Sequence, residues 1–293
     1  MSDPCLSRKP PWLKRTLPQG PGYEEMRRLI SSAHLNTVCK EAKCPNRFEC
    51  FQKGTATVMI LGDRCTRACR FCAVQHGEPA PPDENEPARV ALAIREMGLS
   101  YAVITSVTRD DLPDGGAGIF QKTLSALRRE VPPIRVEVLV PDFKGDMEAI
   151  NRVVTAKPDV FGHNIETVKR LYPKVRPGAL YERSLHVLRS ANSLDPRMPV
   201  KSGIMVGLGE RLDEIRETFD HLLAAGCTLL TIGQYLSPGK EYLPVESYIP
   251  PDRFIALREM GIRAGFKQVE SGAFVRSSYG AAQMFETQCS SFS

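Results

Sequence analysis

The sequence predicts an α/β protein with a parallel sheet, and three observations support this prediction. Short apolar runs alternate with amphipathic stretches in six units of about 25–45 residues, which is typical of βαβ units. The runs are apolar almost throughout, as expected for strands covered on both faces. Polar and glycine residues follow the runs, where parallel folds place their functional loops. Six units form either a doubly wound sheet or a partial barrel, and the pattern does not distinguish them.

The elements are expected in the following order. A helix near 23–32 precedes a compact cysteine-containing loop over 36–54. Strands are expected at 56–61, 101–107, 134–140, 159–163, 200–206 and 228–233. Helices are expected at 88–97, 118–130, 145–155, 181–191 and 210–225, with a short one at 166–171.

Composition and charge exclude several classes of protein. The 293 residues are 42% hydrophobic and 25% charged, a globular balance that argues against disorder, collagen or a coiled coil. The formal net charge of +5 is too small to indicate nucleic acid binding. The N-terminus lacks an apolar signal-peptide core, and no stretch is long and apolar enough to span a membrane. We therefore expect a cytoplasmic protein with no nucleic acid or membrane partner.

Nine cysteines are the unusual feature of the composition. Six of them lie between Cys39 and Cys72. Clustered cysteines in a reducing compartment are more often metal ligands or catalytic thiols than disulfides. Cys227 is expected in the core, whereas Cys5 and Cys289 belong to the terminal segments.

The downstream triplet, Cys65, Cys69 and Cys72, has the spacing CX3CX2C directly after the first predicted strand. Three thiolates can hold three irons of a cubane cluster and leave the fourth iron open to an outside ligand. Structural zinc needs four closed positions, which His76 could complete. An iron–sulfur site is therefore favoured, and zinc stays an alternative.

The upstream triplet, Cys39, Cys44 and Cys50, has the spacing CX4CX5C and ends about fifteen residues before the downstream triplet. On its own this spacing is only moderately specific, because zinc loops and redox thiols share it. Its position ahead of CX3CX2C makes the combination specific.

The downstream triplet resembles the motif of the radical S-adenosylmethionine superfamily, and the two triplets in this order resemble the lipoyl synthase family. The resemblance covers nearly the whole chain. It rests on the ordered segments KPPWLK (9–14), TVCKEAKCPNRFEC (37–50), TRACRFCAV (66–74), ITSVTRDDLPDGGA (104–117), VEVLVPDF (136–143), PDVFGHNIETV (158–168), VRPGA (175–179), KSGIMVGLGE (201–210), GQYLSPGKEYLPV (233–245) and FVRSSY (274–279).

The resemblance implies a partial (β/α)6 TIM-type barrel with N-terminal and C-terminal extensions. Residues 1–54 would carry the auxiliary-cluster loop, residues 55–265 the barrel, and residues 266–293 a segment that folds back to the auxiliary cluster. It also implies a sulfurtransferase that inserts sulfur at C6 and C8 of an octanoyl chain on a carrier-protein lysine. The product is a lipoyl-lysyl carrier protein.

The resemblance further implies two [4Fe–4S] clusters and two molecules of S-adenosylmethionine per product. The downstream triplet would hold the cluster that binds S-adenosylmethionine. The upstream triplet would hold an auxiliary cluster that donates the sulfur, with Ser278 of the RSSY segment as its fourth ligand. Together with the downstream triplet, Ser278 is thus expected in the catalytic set. A hard serine oxygen on soft iron should be a labile ligand.

Five further residues are expected to bind S-adenosylmethionine. Phe71 would pack near the adenine, while Thr105, Ser106 and Asn164 follow strands whose ends face the site. Glu137 lies inside an apolar strand, and a buried Glu needs a partner. It either binds the adenosyl ribose or pairs with a core Arg.

The implied partners are an octanoylated lipoyl carrier domain and a one-electron donor. The carrier would be a 2-oxoacid dehydrogenase E2 component or the glycine cleavage H protein, and the donor is expected to be flavodoxin- or ferredoxin-like. A basic surface could steer an acidic carrier. Its candidate residues are Arg64, Arg67, Arg70, Arg109, Lys169, Arg170, Lys174 and Arg176.

Two other functions remain open from the sequence. Biotin synthases and methylthiotransferases share CX3CX2C but lack the combination of CX4CX5C with RSSY. An iron–sulfur electron carrier would need neither an open iron nor a β/α fold of this size.

Overall fold

The computed structural model describes residues 9–14, 21–46, 49–50 and 57–290. Its strands are β1 (Asn36–Thr37), β2 (Thr57–Ile60), β3 (Arg64–Cys65), β4 (Gln75–His76), β5 (Tyr101–Ser106), β6 (Arg135–Leu139), β7 (Val160–Gly162), β8 (Val200–Val206), β9 (Cys227–Gln234) and β10 (Gln268–Gly272).

The helices lie mostly between the strands. They are α1 (Pro21–Ser32), α2 (Val38–Glu41), α3 (Glu86–Glu96), α4 (Ala117–Glu130), α5 (Met147–Thr155), α6 (Tyr172–Val175), α7 (Tyr181–Leu194), α8 (Leu212–Ala224), α9 (Pro251–Ala264) and α10 (Ala281–Ser290). Short 3₁₀ turns occupy Pro11–Leu13, Phe143–Gly145 and Lys169–Leu171.

One eight-stranded sheet organises the molecule, in the order β1-β2-β5-β6-β7-β8-β9-β10. Each pair from β2 to β10 is parallel, and only β1 runs antiparallel, against β2. β3 and β4 form a separate small sheet beside the downstream triplet. The predicted α/β class with a parallel sheet is confirmed.

The apolar periodicity located the elements because it reflects burial. All six predicted strands and the five longer predicted helices are present within a few residues of their expected bounds. All four residues of β2 are buried, and so are the middle residues of β5. These strands pack under helices α3 and α4, which touch each other across the outer layer.

Three elements of five or more residues were not expected from the sequence. β10 (QVESG) buries only Val269, so it lacks an apolar run, and its pairing with β9 defines it as a strand. The amphipathic helix α9 and the C-terminal helix α10 also form.

The short helix expected at 166–171 is wrong at its start. Glu166 has a positive φ of 67° and forms a bridge to Ile204, so it extends the sheet edge instead of beginning a helix. Helical geometry begins only at Lys169.

A glycine adopts an unusual backbone conformation at the start of α4. Gly116 has φ 92° and caps the helix, and a Cβ there would lie 2.2 Å from Cδ1 of Leu61. Any side chain would therefore displace the core beside the downstream triplet.

The two ends of the sheet, β1 and β10, are joined by loops rather than by strand pairing among the described residues. The side-chain amide of Asn46 donates to the carbonyl of Phe274 at 2.5 Å. Gly233 at the end of β9 lies so close to this crossing that a Cβ would sit 2.2 Å from the carbonyl oxygen of Val275. We call this junction the seam; it brings the upstream triplet to the C-terminal segment.

Candidate active site

A cavity of about 510 Å³ gathers nearly all of the residues predicted for the site. Both triplets line it. So do five of the six other predicted residues, namely Phe71, Thr105, Ser106, Asn164 and Ser278. The exception is Glu137. Residues that are more than 200 positions apart in the chain therefore meet in one chamber.

The downstream triplet is held against the loop that follows β5. The backbone N–H of Thr108 donates to Sγ of Cys65 at 3.3 Å, and the N–H of Cys72 donates to the carbonyl of Cys69 at 3.1 Å. Burial, together with the neighbouring thiols of the triplet, raises the pKa of Cys72 to about 12. Since iron binds thiolates, loading a cluster here must release protons.

The upstream triplet forms a second, separate group. Cys39 lies in α2, whose first turn is capped by the Thr37 hydroxyl accepting from the N–H of Lys40 at 3.2 Å. Burial raises the pKa of Cys39 to about 12, and the thiols of Cys44 and Cys50 add to this effect. Each triplet thus interacts within itself, as two distinct clusters require.

Ser278 reaches the upstream triplet across the seam. Its hydroxyl accepts a hydrogen bond from Thr57 Oγ1 at 2.7 Å, and the Tyr279 hydroxyl donates to Glu49 at 3.3 Å. These two bonds place the C-terminal segment beside the N-terminal cysteine loop, while the expected division into domains stays a prediction. The role of Ser278 as a ligand stays a prediction.

A polar recess of about 130 Å³ lies beside the downstream triplet. Ser106 Oγ and Arg176 Nε face it, and both atoms are buried without a hydrogen-bond partner among the described residues. The Asn164 amide donates to Glu166 at 3.0 Å, and Glu166 holds its strained positive φ here. Unpaired buried polar atoms are costly, so this recess fits a zwitterionic ligand.

Comparison with known proteins decides the family. Residues 59–222, more than half of the chain, match the family model described as the radical SAM superfamily. The lipoyl synthase of Rubrobacter xylanophilus is 55% identical over 95% of this chain and 87% of its own length. That of Desulfotalea psychrophila is 52% identical over 94% of this chain and 93% of its own. The chain belongs to the lipoyl synthase family.

Solved structures show the same fold at low sequence identity. Methylornithine synthase matches with a TM-score of 0.54 at 14% identity, over 90% of this chain and 88% of its own. Streptococcus suis SuiB bound to S-adenosylmethionine matches with a TM-score of 0.51 at 13% identity, over 89% of this chain and 58% of its own. The expected partial TIM-type barrel is confirmed, and lipoyl synthases thus share it with other radical enzymes.

Glu137 is not among the residues that line the cavity, and ribose binding by Glu137 stays a prediction. Its carboxylate accepts from Lys201 Nζ at 2.8 and 3.1 Å and from the Tyr101 hydroxyl at 2.8 Å. The expected alternative, pairing with a core cation, is correct in kind, but the partner is Lys rather than Arg.

The basic surface expected to steer a carrier is smaller than its eight candidates suggest, since five of them are exposed, and its role stays a prediction. The side chains of Arg67 and Arg109 are 7% and 2% exposed, and each is paired with Asp. The exposed Lys169, Arg170 and Lys174 pair with Glu182, Glu214 and Glu246. Arg176 faces the polar recess instead of the surface. This makes Arg176 a site residue that the sequence analysis missed, although it lies in the quoted segment VRPGA.

Two histidines and Cys227, which the sequence analysis also considered, lie outside the two triplets. His163 is buried between the Val140 carbonyl and the Ser184 hydroxyl, at 2.8 and 3.0 Å, and burial lowers its pKa to about 4. His76 is exposed and does not line the cavity. Cys227 is buried, as expected. Cys5 and the side chain of Cys289 lie outside the described residues.

Two absences hold for the described part of the chain. Within it, no three His, Cys, Asp or Glu side chains are grouped tightly enough to bind a single metal ion. Over the same residues, no helix has the length and hydropathy needed to cross a membrane.

Proposed function

We propose that this chain is a lipoyl synthase that inserts two sulfur atoms at C6 and C8 of a protein-bound octanoyl-lysyl chain. The observation that carries the proposal is the single cavity lined by two separate cysteine triplets and Ser278. A radical source and a sulfur source must both reach the same carbon atoms, and a shared chamber meets that requirement.

The downstream triplet is proposed to hold the [4Fe–4S] cluster that has an open iron. When bound, this cluster and S-adenosylmethionine supply a 5′-deoxyadenosyl radical that removes hydrogen from unactivated C–H bonds. The protein contributes the three thiolates and the Thr108 N–H bond to Cys65 sulfur. Two molecules of S-adenosylmethionine are used for the two C–H bonds.

The polar recess is proposed to take the methionine part of S-adenosylmethionine. Arg176 offers its unpaired Nε to the carboxylate, and Ser106 offers its free hydroxyl. Asn164 and Glu166 add polar groups at the same wall, while Thr105 is already engaged with the Leu139 carbonyl at 2.7 Å. Phe71 lines the main cavity and is proposed to pack near the adenine.

The upstream triplet and Ser278 are proposed to hold the sulfur-donating [4Fe–4S] cluster. The Ser278 hydroxyl would exchange its bond from Thr57 for iron. A hard alkoxide oxygen binds this iron less firmly than a thiolate does, so the serine corner can open when sulfur is lost.

The octanoyl chain is proposed to lie along the apolar wall between the two triplets. Met59, Ile204 and Met205 line this part of the cavity. They bind methylene groups without competing hydrogen bonds, and they exclude water that would quench a radical.

The partners and location are proposed on chemical grounds. The substrate would be the octanoylated domain of a 2-oxoacid dehydrogenase E2 component or the glycine cleavage H protein, and a flavodoxin- or ferredoxin-like donor would reduce the downstream cluster. A reducing cytoplasm suits the seven described cysteines, none of which forms a disulfide. We propose residues 1–54, 55–265 and 266–293 as three functional parts of the chain. They are not separate folding units, because β10 of the last part pairs with β9 of the barrel sheet.

Anaerobic turnover tests the proposed function. The reconstituted full-length protein is mixed with S-adenosylmethionine, a reductant and an octanoyl-lysyl peptide, and the products are measured by mass spectrometry. We expect 5′-deoxyadenosine together with a peptide that has gained two sulfur atoms. Iron and sulfide analysis should give about eight of each per chain, for two cubanes.

Matched variants separate the two clusters. Cys44→Ala should keep 5′-deoxyadenosine formation and lose sulfur insertion, whereas Cys69→Ala should lose both. If the wild-type protein makes 5′-deoxyadenosine but no sulfur-containing peptide, the lipoyl synthase proposal is refuted.

A further inference from the structure

We propose that Arg67 is a positioning residue that fixes the ligand loop of the downstream triplet and thereby sets the reduction potential of its cluster. The proposal rests on the proposed ligand role of that triplet. Arg67 lies inside the loop, two residues after Cys65 and two before Cys69, and its side chain is only 7% exposed. It contributes no ligand atom, so its effect on the cluster must act through the loop and through its charge.

The guanidinium of Arg67 ties the loop to two other barrel loops at once. Nε and Nη2 donate to Asp110 at 2.6 and 2.8 Å, and Nη1 and Nη2 donate to Asp142 at 2.8 and 2.7 Å. Asp110 follows β5 and Asp142 follows β6. One side chain therefore joins three consecutive loops at the carboxyl edge of the sheet.

Asp142 is itself held in place. It is completely buried, accepts from the Lys144 N–H at 3.0 Å, and has Arg183 at 3.5 Å behind it. A carboxylate fixed from three sides gives Arg67 a rigid anchor, so the fork keeps one orientation.

A second set of bonds next to Arg67 shares this clamp. The backbone and hydroxyl of Thr66 both donate to the Thr108 carbonyl, at 3.0 and 2.9 Å, and the Asp110 N–H donates back to the Thr66 hydroxyl at 3.0 Å. The N–H of Thr108 points the other way, to Cys65 Sγ at 3.3 Å. The Arg67 clamp therefore holds the peptide that carries the N–H···S bond.

This geometry links Arg67 to the reduction potential. Hydrogen bonds to ligand sulfur stabilise the reduced cluster, which carries more negative charge, and thus raise its potential. Losing Arg67 would loosen the N–H···S bond, leave Asp110 without its guanidinium partner and leave Asp142 with only the more distant Arg183 at 3.5 Å. These consequences lower the potential. Lys at this position would restore the charge but could not hold both carboxylates with a planar fork.

The test compares Arg67→Gln and Arg67→Lys with the wild-type chain. Each reconstituted full-length protein is titrated with reductant, without octanoyl substrate, and the downstream cluster is followed by electron paramagnetic resonance. Arg67→Gln should lower the midpoint potential and weaken the spectral change on adding S-adenosylmethionine. Arg67→Lys should recover only part of the potential.

Arg128→Gln is the matched control. Arg128 also pairs with a nearly buried aspartate, Asp159, at 2.6 Å, and it also donates to backbone carbonyls. It does not line the cavity. Its loss should leave the potential unchanged.

A second measurement, on the iron-free protein, tests the proposal even if the variant does not take up its cluster. Alkylation of the downstream thiols should be several-fold faster in Arg67→Gln than in wild type, while the upstream thiols react at the same rate. The proposal would be overturned if Arg67→Gln, loaded with its cluster, had the same midpoint potential as wild type. Where the variant does not take up a cluster, equal alkylation rates of the downstream thiols would overturn it. Neither readout uses the octanoyl substrate, so a failure of the sulfur-insertion assay leaves this result independent.

Discussion

The buried pair between Glu137 and Lys201 should support stability and not cofactor binding. Their side chains are 2% and 3% exposed, and Tyr101 completes the carboxylate's hydrogen bonds. The pair lies in the barrel interior but outside the cavity. Lys201→Met removes the cation and leaves a buried carboxylate with only one partner, the Tyr101 hydroxyl.

The expected loss can be estimated from this geometry. Removing one partner of a buried ion pair costs about 3–5 kcal/mol, because the remaining charge is uncompensated. Melting entropy of about 2.1 cal/mol/K per residue, applied to 293 residues, converts each kcal/mol to about 1.6 °C. Lys201→Met should therefore lower the melting temperature by about 5–8 °C.

The double variant Glu137→Gln/Lys201→Met should recover much of this loss. It removes the unpaired charge and keeps an acceptor for the Tyr101 hydroxyl, so about 1–2 kcal/mol should remain lost. Differential scanning calorimetry of the anaerobic, reconstituted proteins gives the temperatures. Equilibrium binding of S-adenosylmethionine, measured below the transition, should match that of wild type in all variants.

Two results would refute this reasoning. A double variant less stable than Lys201→Met would mean that the charge is not the source of the loss. A Glu137→Gln single variant that folds but binds S-adenosylmethionine ten times more weakly would return Glu137 to the cofactor site.

Three further predictions follow from the site and the seam. Burial raises the pKa of Asp142, but the hydrogen bonds and charge of Arg67 outweigh it and lower the pKa to about 2. Its carboxylate thus stabilises the fold above its ordinary pKa of 3.8, and about 2 kcal/mol of the unfolding free energy is lost as the pH falls from about 4 to about 2. Asp142→Asn should remove this acid-dependent step from the unfolding free energy. An unchanged step would contradict the assignment. Asn46→Ala loses the bond to the Phe274 carbonyl, so it should lower the free energy of unfolding by about 1 kcal/mol and speed the loss of sulfide from the upstream site. Iron at the downstream site should be retained, and it serves as the internal control. Arg176→Lys should weaken binding of S-adenosylmethionine by about tenfold in equilibrium dialysis, since Lys cannot reproduce the guanidinium fork, and unaltered affinity would exclude Arg176 from that site.

Local pattern sufficed for much of the fold. The strands β2, β5 and β9 were predictable because their side chains are buried, and burial on both faces leaves a continuous apolar run in the sequence. β10 was not predictable, since its residues are mostly half-exposed and its identity as a strand comes from hydrogen bonds to β9.

The same division applies to polar residues in the barrel. The sequence marks Glu137 as unusual, because it is a charged residue inside an apolar run, but it does not mark Arg176. Whether such a residue faces the polar recess depends on strand register for Glu137 and on the path of the loop after β7 for Arg176. Partner distances of 2.8 Å assign Glu137 to Lys201, while the unpaired Nε assigns Arg176 to the recess.

The sequence by itself determined the chemistry of this protein. Cysteine spacing within one loop is a local property, so CX3CX2C and CX4CX5C indicate two metal-binding triplets without any coordinates. Only the tertiary structure decided that the two triplets share one cavity and that Ser278 lines it as well. That meeting depends on a sheet whose open edges are bridged at the seam, through contacts between residues more than 200 positions apart, and no local pattern encodes such distances.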